Sequence, residues 1–156
     1  MIRMEMQDGG VVKIELDPKA APITAANFEK LVKEGFYDGL TFHRIIPGFM
    51  VQGGDPLGTG MGGSSETIRG EFAANGVNNP ISHKRGVISM ARSSYPNSAS
   101  SQFFIMHDDG EFLDGNYAAF GRVVDGMDVI DRIAATPTGV NDRPKTPVVI
   151  ARMTVE

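Results

Sequence analysis

The feature that most limits the fold is a series of short, β-like segments separated by turn residues. VVKIEL (11–16), LTFHRII (40–46), FMVQGG (49–54), GVISMA (86–91), QFFIM (102–106), YAAFGRVV (117–124) and PVVIARMTV (147–155) are each rich in β-branched or aromatic residues. Most are bounded by Gly, Pro, Asn or Asp, as strands are. Only two segments carry helical spacing. In PITAANFEKLVKEG (22–35), Ala25, Phe28, Leu31 and Val32 share a face; Thr24 is the expected N-cap, Ile23 and Phe28 a hydrophobic staple, and Gly35 the stop. In DGMDVIDRIAATP (125–137), Asp125 is the expected cap, Met127, Ile130 and Ala134 share a face, and Pro137 lies beyond the end. Seven or eight short strands with two helices do not alternate as βαβ units. The expectation is an antiparallel sandwich or barrel with the helices at its ends, and periodicity leaves both open.

The 19 glycines and 9 prolines are spread along the chain, and no repeat or block of like charge interrupts it, so residues 1–156 read as one domain. A chain this long buries roughly 70% of its unfolded surface and needs no covalent staples. The absence of cysteine excludes disulfides, thiolate metal sites and a cysteine nucleophile, while leaving the redox compartment open. A net charge of -4 argues against sequence-independent nucleic-acid binding, which needs a clustered basic surface. MIRMEMQDGG has no apolar core of signal-peptide length, and no long apolar run follows. A cytoplasmic protein with no membrane partner is expected.

Few short motifs in the chain carry chemistry of their own. GTGMGG (58–63) fits G-x-G-x-x-G, but Asp55-Pro56 precedes it and the polar SSETIRGE follows, where a dinucleotide site needs a strand and an amphipathic helix. A glycine loop lying against an extended ligand is the other reading, since glycine permits close backbone approach. His43, His83 and His107 show no metal-ligand spacing. The serines of ARSSYPNSASSQ lack a G-x-S-x-G elbow and read as turns.

The informative stretch is FHRIIPGFMVQGGD (42–55), which is almost wholly apolar yet contains Arg44, with no acid nearer than Asp38 and Asp55. An arginine here can lay its stem on apolar surface and reach water. Gln52 and Gln102, in two other apolar segments, offer an alternative. Three long polar side chains converging beside a hydrophobic pocket make an ordinary ligand site. Strand alternation sends Phe103 and Phe104 to opposite faces, and likewise Phe49 and Met50, so one of each pair is free to line such a pocket.

Three segments together resemble the cyclophilins, the family of peptidyl-prolyl cis-trans isomerases: FHRIIPGFMVQGGDPLGTGMGG, GVISMARSSYPNSASSQFFIM and FLDGNYAAFGRVVDGMDVID. The resemblance runs from about Val11 to the C-terminus and implies a closed eight-stranded antiparallel β-barrel capped by two helices. It implies a rotamase acting on X-Pro bonds in peptides and folding proteins, without cofactor, metal or covalent intermediate. By position, Arg44 matches the family's catalytic arginine. Phe49, Met50, Phe104 and Leu113 match the proline pocket, with Gln52 and Gln102 as the polar side chains beside it. Ala91 and Gly60 match places where the substrate backbone passes. Phe112 stands where animal cyclophilins commonly have tryptophan, and Tyr117 where they have histidine. The aromatic wall is kept but the indole N–H donor is lost, which predicts weakened affinity for cyclosporin-type inhibitors. Arg92, Ser93 and Ser94 replace a stretch that is usually Asn-Ala, with one extra residue before Gln102, which predicts a different preference next to the proline. Expected partners are proline-containing peptides and unfolded or folding proteins, with the chain a monomer. Two rival readings are a proline-peptide binding module or chaperone using the same pocket, and a serine hydrolase built on Ser93–Ser101.

Overall fold

The computed structural model describes residues 1–156. Eight strands form one curled antiparallel sheet: β1 Ile2–Met6, β2 Val11–Leu16, β3 Phe42–Ile46, β4 Met50–Gly53, β5 Val87–Met90, β6 Phe103–Met106, β7 Ala119–Asp125 and β8 Ile150–Val155. Their order is β3-β4-β6-β5-β7-β2-β1-β8. The end strands β3 and β8 do not pair along their length. Residues at and just before the start of each strand do: Thr41 bridges Val149, Phe42 N–H donates to Val148 O and Ile150 N–H to Leu40 O. Leu40, Thr41, Val148 and Val149 are among the residues by which LTFHRII and PVVIARMTV exceed the strands, and with Phe42 and Ile150 they bring the sheet round to meet itself. A barrel, and not a two-sheet sandwich, is therefore the outcome.

Residues 2–6 form a strand that the sequence reading does not assign. Ile2, Met4 and Met6 alternate inward with Arg3 and Glu5, but methionine and glutamate are weak strand formers. What makes the strand is its position between β2 and β8, bonded on both edges.

Helix α1 spans Pro22–Lys33 and α2 Met127–Ala134. Both lay their apolar side on the interior, where Phe28, Leu31, Val32, Val129, Ile130 and Ile133 join the inward residues of the sheet. Phe28 anchors an aromatic cluster, with ring centroids 5.0 Å from Tyr37, 5.5 Å from Phe103 and 5.1 Å from Phe120. The Tyr37 hydroxyl, fully buried, donates to Ser101 O at 2.8 Å. Such an aromatic interior supplies both area and edge-to-face geometry.

The helix stops behave as expected and the starts do not. Gly35 adopts φ +72°, its N–H donates to Val32 O, and Phe36 N–H donates to Leu31 O; this paired pattern needs a left-handed residue, which glycine supplies. Thr24, however, lies inside α1, which begins at Pro22 after Ala21. The cap comes from far along the chain. The buried Glu71 carboxylate accepts from Thr24 N–H and Thr24 Oγ, both at 2.6 Å, and from Ile23 N–H at 3.2 Å. Ile23 is turned to solvent, so there is no staple. Likewise Asp125 ends β7, and the residue before α2 is Gly126 at φ +92°, with no side-chain cap. A Cβ at Gly126 would collide with the backbone of Val11 and Val12, and that crossing, not capping, sets the residue.

Because Glu71 satisfies free N–H groups at a helix start from a buried position, Glu71→Ala should lower stability by about 1–3 kcal/mol. Urea denaturation measures it; an unchanged midpoint would show that solvent caps α1 equally well.

Candidate active site

The register of β3 answers why an arginine sits in an apolar strand. Phe42 pairs with Gly53 and Arg44 with Gln52, so β3 spends two residues where β4 spends one. His43 is the extra residue of a β-bulge. Phe42 and Ile45 face the interior; strict alternation from Phe42 would send Arg44 inward as well. The bulge turns Arg44 to the outer face, where it is exposed.

That outer face carries a second apolar cluster of Met50, Val87, Phe104, Met106, Leu113 and Ala119. Across neighbouring strands, Arg44 stands opposite Gln52, Gln52 opposite Phe104, and Phe104 opposite Ser89. Phe103 goes inward and Phe104 outward, as alternation requires. Phe49 and Met50 depart from that expectation. Strand β4 begins only at Met50, so Phe49 belongs to the preceding turn and both reach the outer cluster.

These residues enclose a recess of about 160 Å3. Arg44, Gln52, Phe49, Met50, Phe104 and Leu113 form most of its wall, and Ala91, Tyr117 and Arg92 close the remaining side. Gly60 and Gln102 lie outside it, in an adjoining polar groove of about 290 Å3 that shares Gln52, Ala91 and Arg92. Phe112 is not part of the wall; it is 72% exposed at the rim, its ring 5.5 Å from that of Phe49. A recess of about 260 Å3 elsewhere is lined by Asp8 and Arg132, which pair with each other at 3.2 Å. Size alone therefore does not select the site; the meeting of apolar wall and free donors does.

Arg44 has one side-chain partner. Its Nη1 donates to Gln52 Oε1 at 3.3 Å, which leaves most of its five N–H groups unengaged. Gln52 Nε2 donates in turn to Gln102 Oε1 at 2.9 Å, and Gln102 Nε2 to Gly62 O at 2.8 Å and Gly60 O at 3.1 Å. This relay fixes which way the Gln52 carbonyl points, and so braces the guanidinium.

The glycine segment 58–63 is no phosphate cradle. Its N–H groups close on a carboxylate of the same loop: buried Asp55 accepts from Leu57, Thr59, Gly60 and Gly62 at 2.8, 3.1, 2.6 and 3.2 Å. Burial alone would raise the Asp55 carboxyl, but these four donors hold it below the usual range. Gly62 is required for the approach, because a Cβ there would collide with the Asp55 carboxylate. Asp55 escaped the sequence reading, although an Asp opening a glycine-rich loop is a signal of such an anchor.

His83, Ser89 and Asp114 reproduce a nucleophile–base–carboxylate geometry. His83 Nδ1 lies 2.8 Å from Asp114 Oδ1 and His83 Nε2 2.9 Å from Ser89 Oγ. Ser89 is completely buried, so no ester reaches it. The arrangement instead backs the pocket: the His83 ring stacks on Phe104, and Asp114 follows Leu113 in the chain. The Ser93–Ser101 cluster holds turns together, Ser93 Oγ donating to Ser98 Oγ and Ser101 Oγ to Gly54 O, with no histidine among its partners. No three His, Asp or Glu side chains gather as a metal site, and no helix is long and apolar enough to cross a membrane.

The sequence model of the family described as cyclophilin type peptidyl-prolyl cis-trans isomerase/CLD matches residues 1–155. The chain belongs to the cyclophilin family. Peptidyl-prolyl cis-trans isomerase B of Bacillus subtilis is 50% identical over 123 residues, covering 79% of this chain and 82% of that one. Peptidyl-prolyl cis-trans isomerase ppi1 of Schizosaccharomyces pombe is 44% identical over 154 residues, 97% of each chain. Among solved structures, a Cryptosporidium parvum cyclophilin obtained in the presence of the dipeptide Ala-Pro is similar at a TM-score of 0.90 and 32% identity, over 99% of this chain and 98% of that one. The cyclophilin fold thus extends over the whole chain, β1 included.

Two buried histidines give this cyclophilin an acid sensitivity. His43 has neither ring nitrogen bonded. Burial lowers its pKa, Asp55 opposes that, and Arg143 and Arg44 add to it. His83 is lowered by burial against the pull of Asp114. The unfolded chain takes up these protons near pH 6.5 while the folded chain refuses them, so stability rises with pH through that window. Urea denaturation should give a lower midpoint at about pH 5 than at about pH 7.5, with a shallower slope in His43→Leu; equal midpoints would contradict it.

Proposed function

We propose that Arg44 is the catalytic residue with which this cyclophilin turns X-Pro bonds, and that the recess beside it holds the proline ring. The observation that carries this is a permanent cation, with most of its donors free, standing at the edge of an apolar recess. The Cryptosporidium relative obtained with Ala-Pro supports proline-containing peptides as the substrate class.

The imide bond is planar through resonance, and rotating it costs about 18–20 kcal/mol. Unaided X-Pro rotation takes on the order of tens to hundreds of seconds. At the twisted transition state the nitrogen loses conjugation and regains its lone pair. An N–H aimed at that nitrogen binds the twisted form better than the planar one, which is the differential binding a catalyst needs. A guanidinium suits this because it never titrates in the working range and offers a rigid fork of donors. A preference of about 4 kcal/mol corresponds to a rate gain on the order of a thousandfold.

Phe49, Met50, Phe104 and Leu113 grip the ring and hold one side of the bond still. Gln52, braced by Gln102, holds the flanking peptide while the other side rotates, so the reacting geometry is set before rotation begins. Ala91 and the Gly60 loop leave room for the backbone, and Tyr117 completes the wall. Phe112, at the rim, has no N–H to offer, and weak binding of cyclosporin-type ligands follows. The step moves no proton and makes no covalent bond.

Exchange spectroscopy on an Ala-Pro peptide tests this. Arg44→Ala should lower kcat/KM on the order of a thousandfold with the fold intact, since Arg44 is exposed. Near wild-type exchange in that variant would remove Arg44 from the role. Arg44→Lys should also be poor, because an ammonium lacks the fork. Turnover in the wild type should be nearly flat across neutral pH, and a sharp bell there would indicate a titrating acid or base instead.

A further inference from the structure

The apolar recess and the polar groove beside it share a wall at Gln52, Ala91 and Arg92. A peptide whose proline fills the recess therefore lays a neighbouring residue into the groove. Apart from Arg92 the groove is lined by neutral groups, among them Ser93, Ser98, Ser100 and Gln102. The only charged side chains on either recess are Arg44 and Arg92.

Arg92 is held with unusual completeness for a cation. Its Nε and Nη2 donate to Asn116 O at 3.1 and 2.7 Å, and its Nη1 to Ser93 O at 2.9 Å and Ser94 O at 3.4 Å. Its guanidinium carbon lies 4.8 Å from the centre of the Phe72 ring and 4.9 Å from that of Tyr117. Every one of these partners is neutral, so the full positive charge remains. Elsewhere on this acidic chain arginines find carboxylates: Arg85 pairs with Asp131, Arg132 with Asp8 and Arg152 with Glu5. The acids on neighbouring segments spend their oxygens elsewhere: buried Asp55 and Glu71 accept from N–H and O–H donors, and Asp114 accepts from Ser82 Oγ and His83 N–H. The site is thus a locally cationic patch, with one Nη2 N–H of Arg92 still without an acceptor.

Resting on the assignment of the recess to proline, we propose that Arg92 is a specificity-determining residue that favours substrates carrying an aspartate or glutamate next to the proline. A carboxylate entering the groove meets a positioned cation, with no resident acid to displace. An ion pair at a solvent-accessible site contributes modestly, so discrimination between acidic and basic neighbours of about fivefold is expected. The charge component weakens with salt.

The test uses peptides identical except for Glu, Gln or Lys placed in turn at each position flanking one proline, with kcat/KM read by exchange spectroscopy. At one or more positions the order should be Glu above Gln above Lys, with Glu over Lys about fivefold and the ratio shrinking in 1 M salt. Arg92→Gln should bring that ratio close to one, whereas Arg92→Lys, which keeps the charge, should retain most of it. The ratio within each variant is the readout, so a general loss of rate does not obscure it. Equal rates for Glu and Lys peptides at every position in the wild type would overturn the proposal, and so would a ratio that survives in Arg92→Gln. Failure of the wild type to accelerate exchange in the Gln peptides would instead overturn the catalytic reading on which it rests.

Discussion

The site depends on one irregularity in a hydrogen-bonded ladder. His43 adds a residue to β3 that β4 does not match, and a one-residue offset in a strand reverses the face of everything that follows. Phe42 stays in the interior while Arg44 emerges beside Gln52. Without the bulge, a guanidinium would be driven into an aromatic core with no acid to meet it, at a cost no small fold bears. With it, the same charge lies on the outer surface, held but not neutralised. His43 itself is left buried beneath the glycine loop without a hydrogen bond, and that is where the irregularity stores its cost.

The rest of the molecule holds that arrangement still. The inner face of the sheet packs against both helices around the aromatic cluster at Phe28. The outer face presents Met50, Phe104 and Leu113 as a second, smaller apolar layer. Behind Phe104 stand His83 and its bonds to Ser89 and Asp114. Beside it, the Asp55 loop offers the carbonyls of Gly60 and Gly62 to Gln102, which orients Gln52, which orients Arg44. Pre-organisation of this kind is what lets a static charge act as a catalyst, because nothing has to rearrange as the bond twists.

Much of this was legible in the sequence, and the exceptions share a cause. Strand segments and the stop at Gly35 follow from local rules, since alternation and left-handed glycine are properties of a few neighbouring residues. So does the parting of Phe103 and Phe104 to opposite faces, although it was the family resemblance that placed Phe104 on the pocket side. Phe49 and Met50 could not be separated correctly, because that required knowing where β4 begins. Strand β1 was hidden because its stability lies in its neighbours. The Glu71 cap was hidden too, and so were the bonds that hold Arg92 in the wall, for each joins a side chain to backbone brought near only by folding. The family resemblance located Arg44 and its pocket by position; it did not reveal the bulge that makes the position work.

The most direct measurement is the structure of this protein with an Ala-Pro peptide bound. The pyrrolidine ring should lie against Phe104, Met50 and Leu113, with an Arg44 N–H directed at the prolyl nitrogen from about 3–3.5 Å, the separation of a reacting pair. A ring seated elsewhere, or an Arg44 guanidinium turned away from the imide bond, would contradict that arrangement.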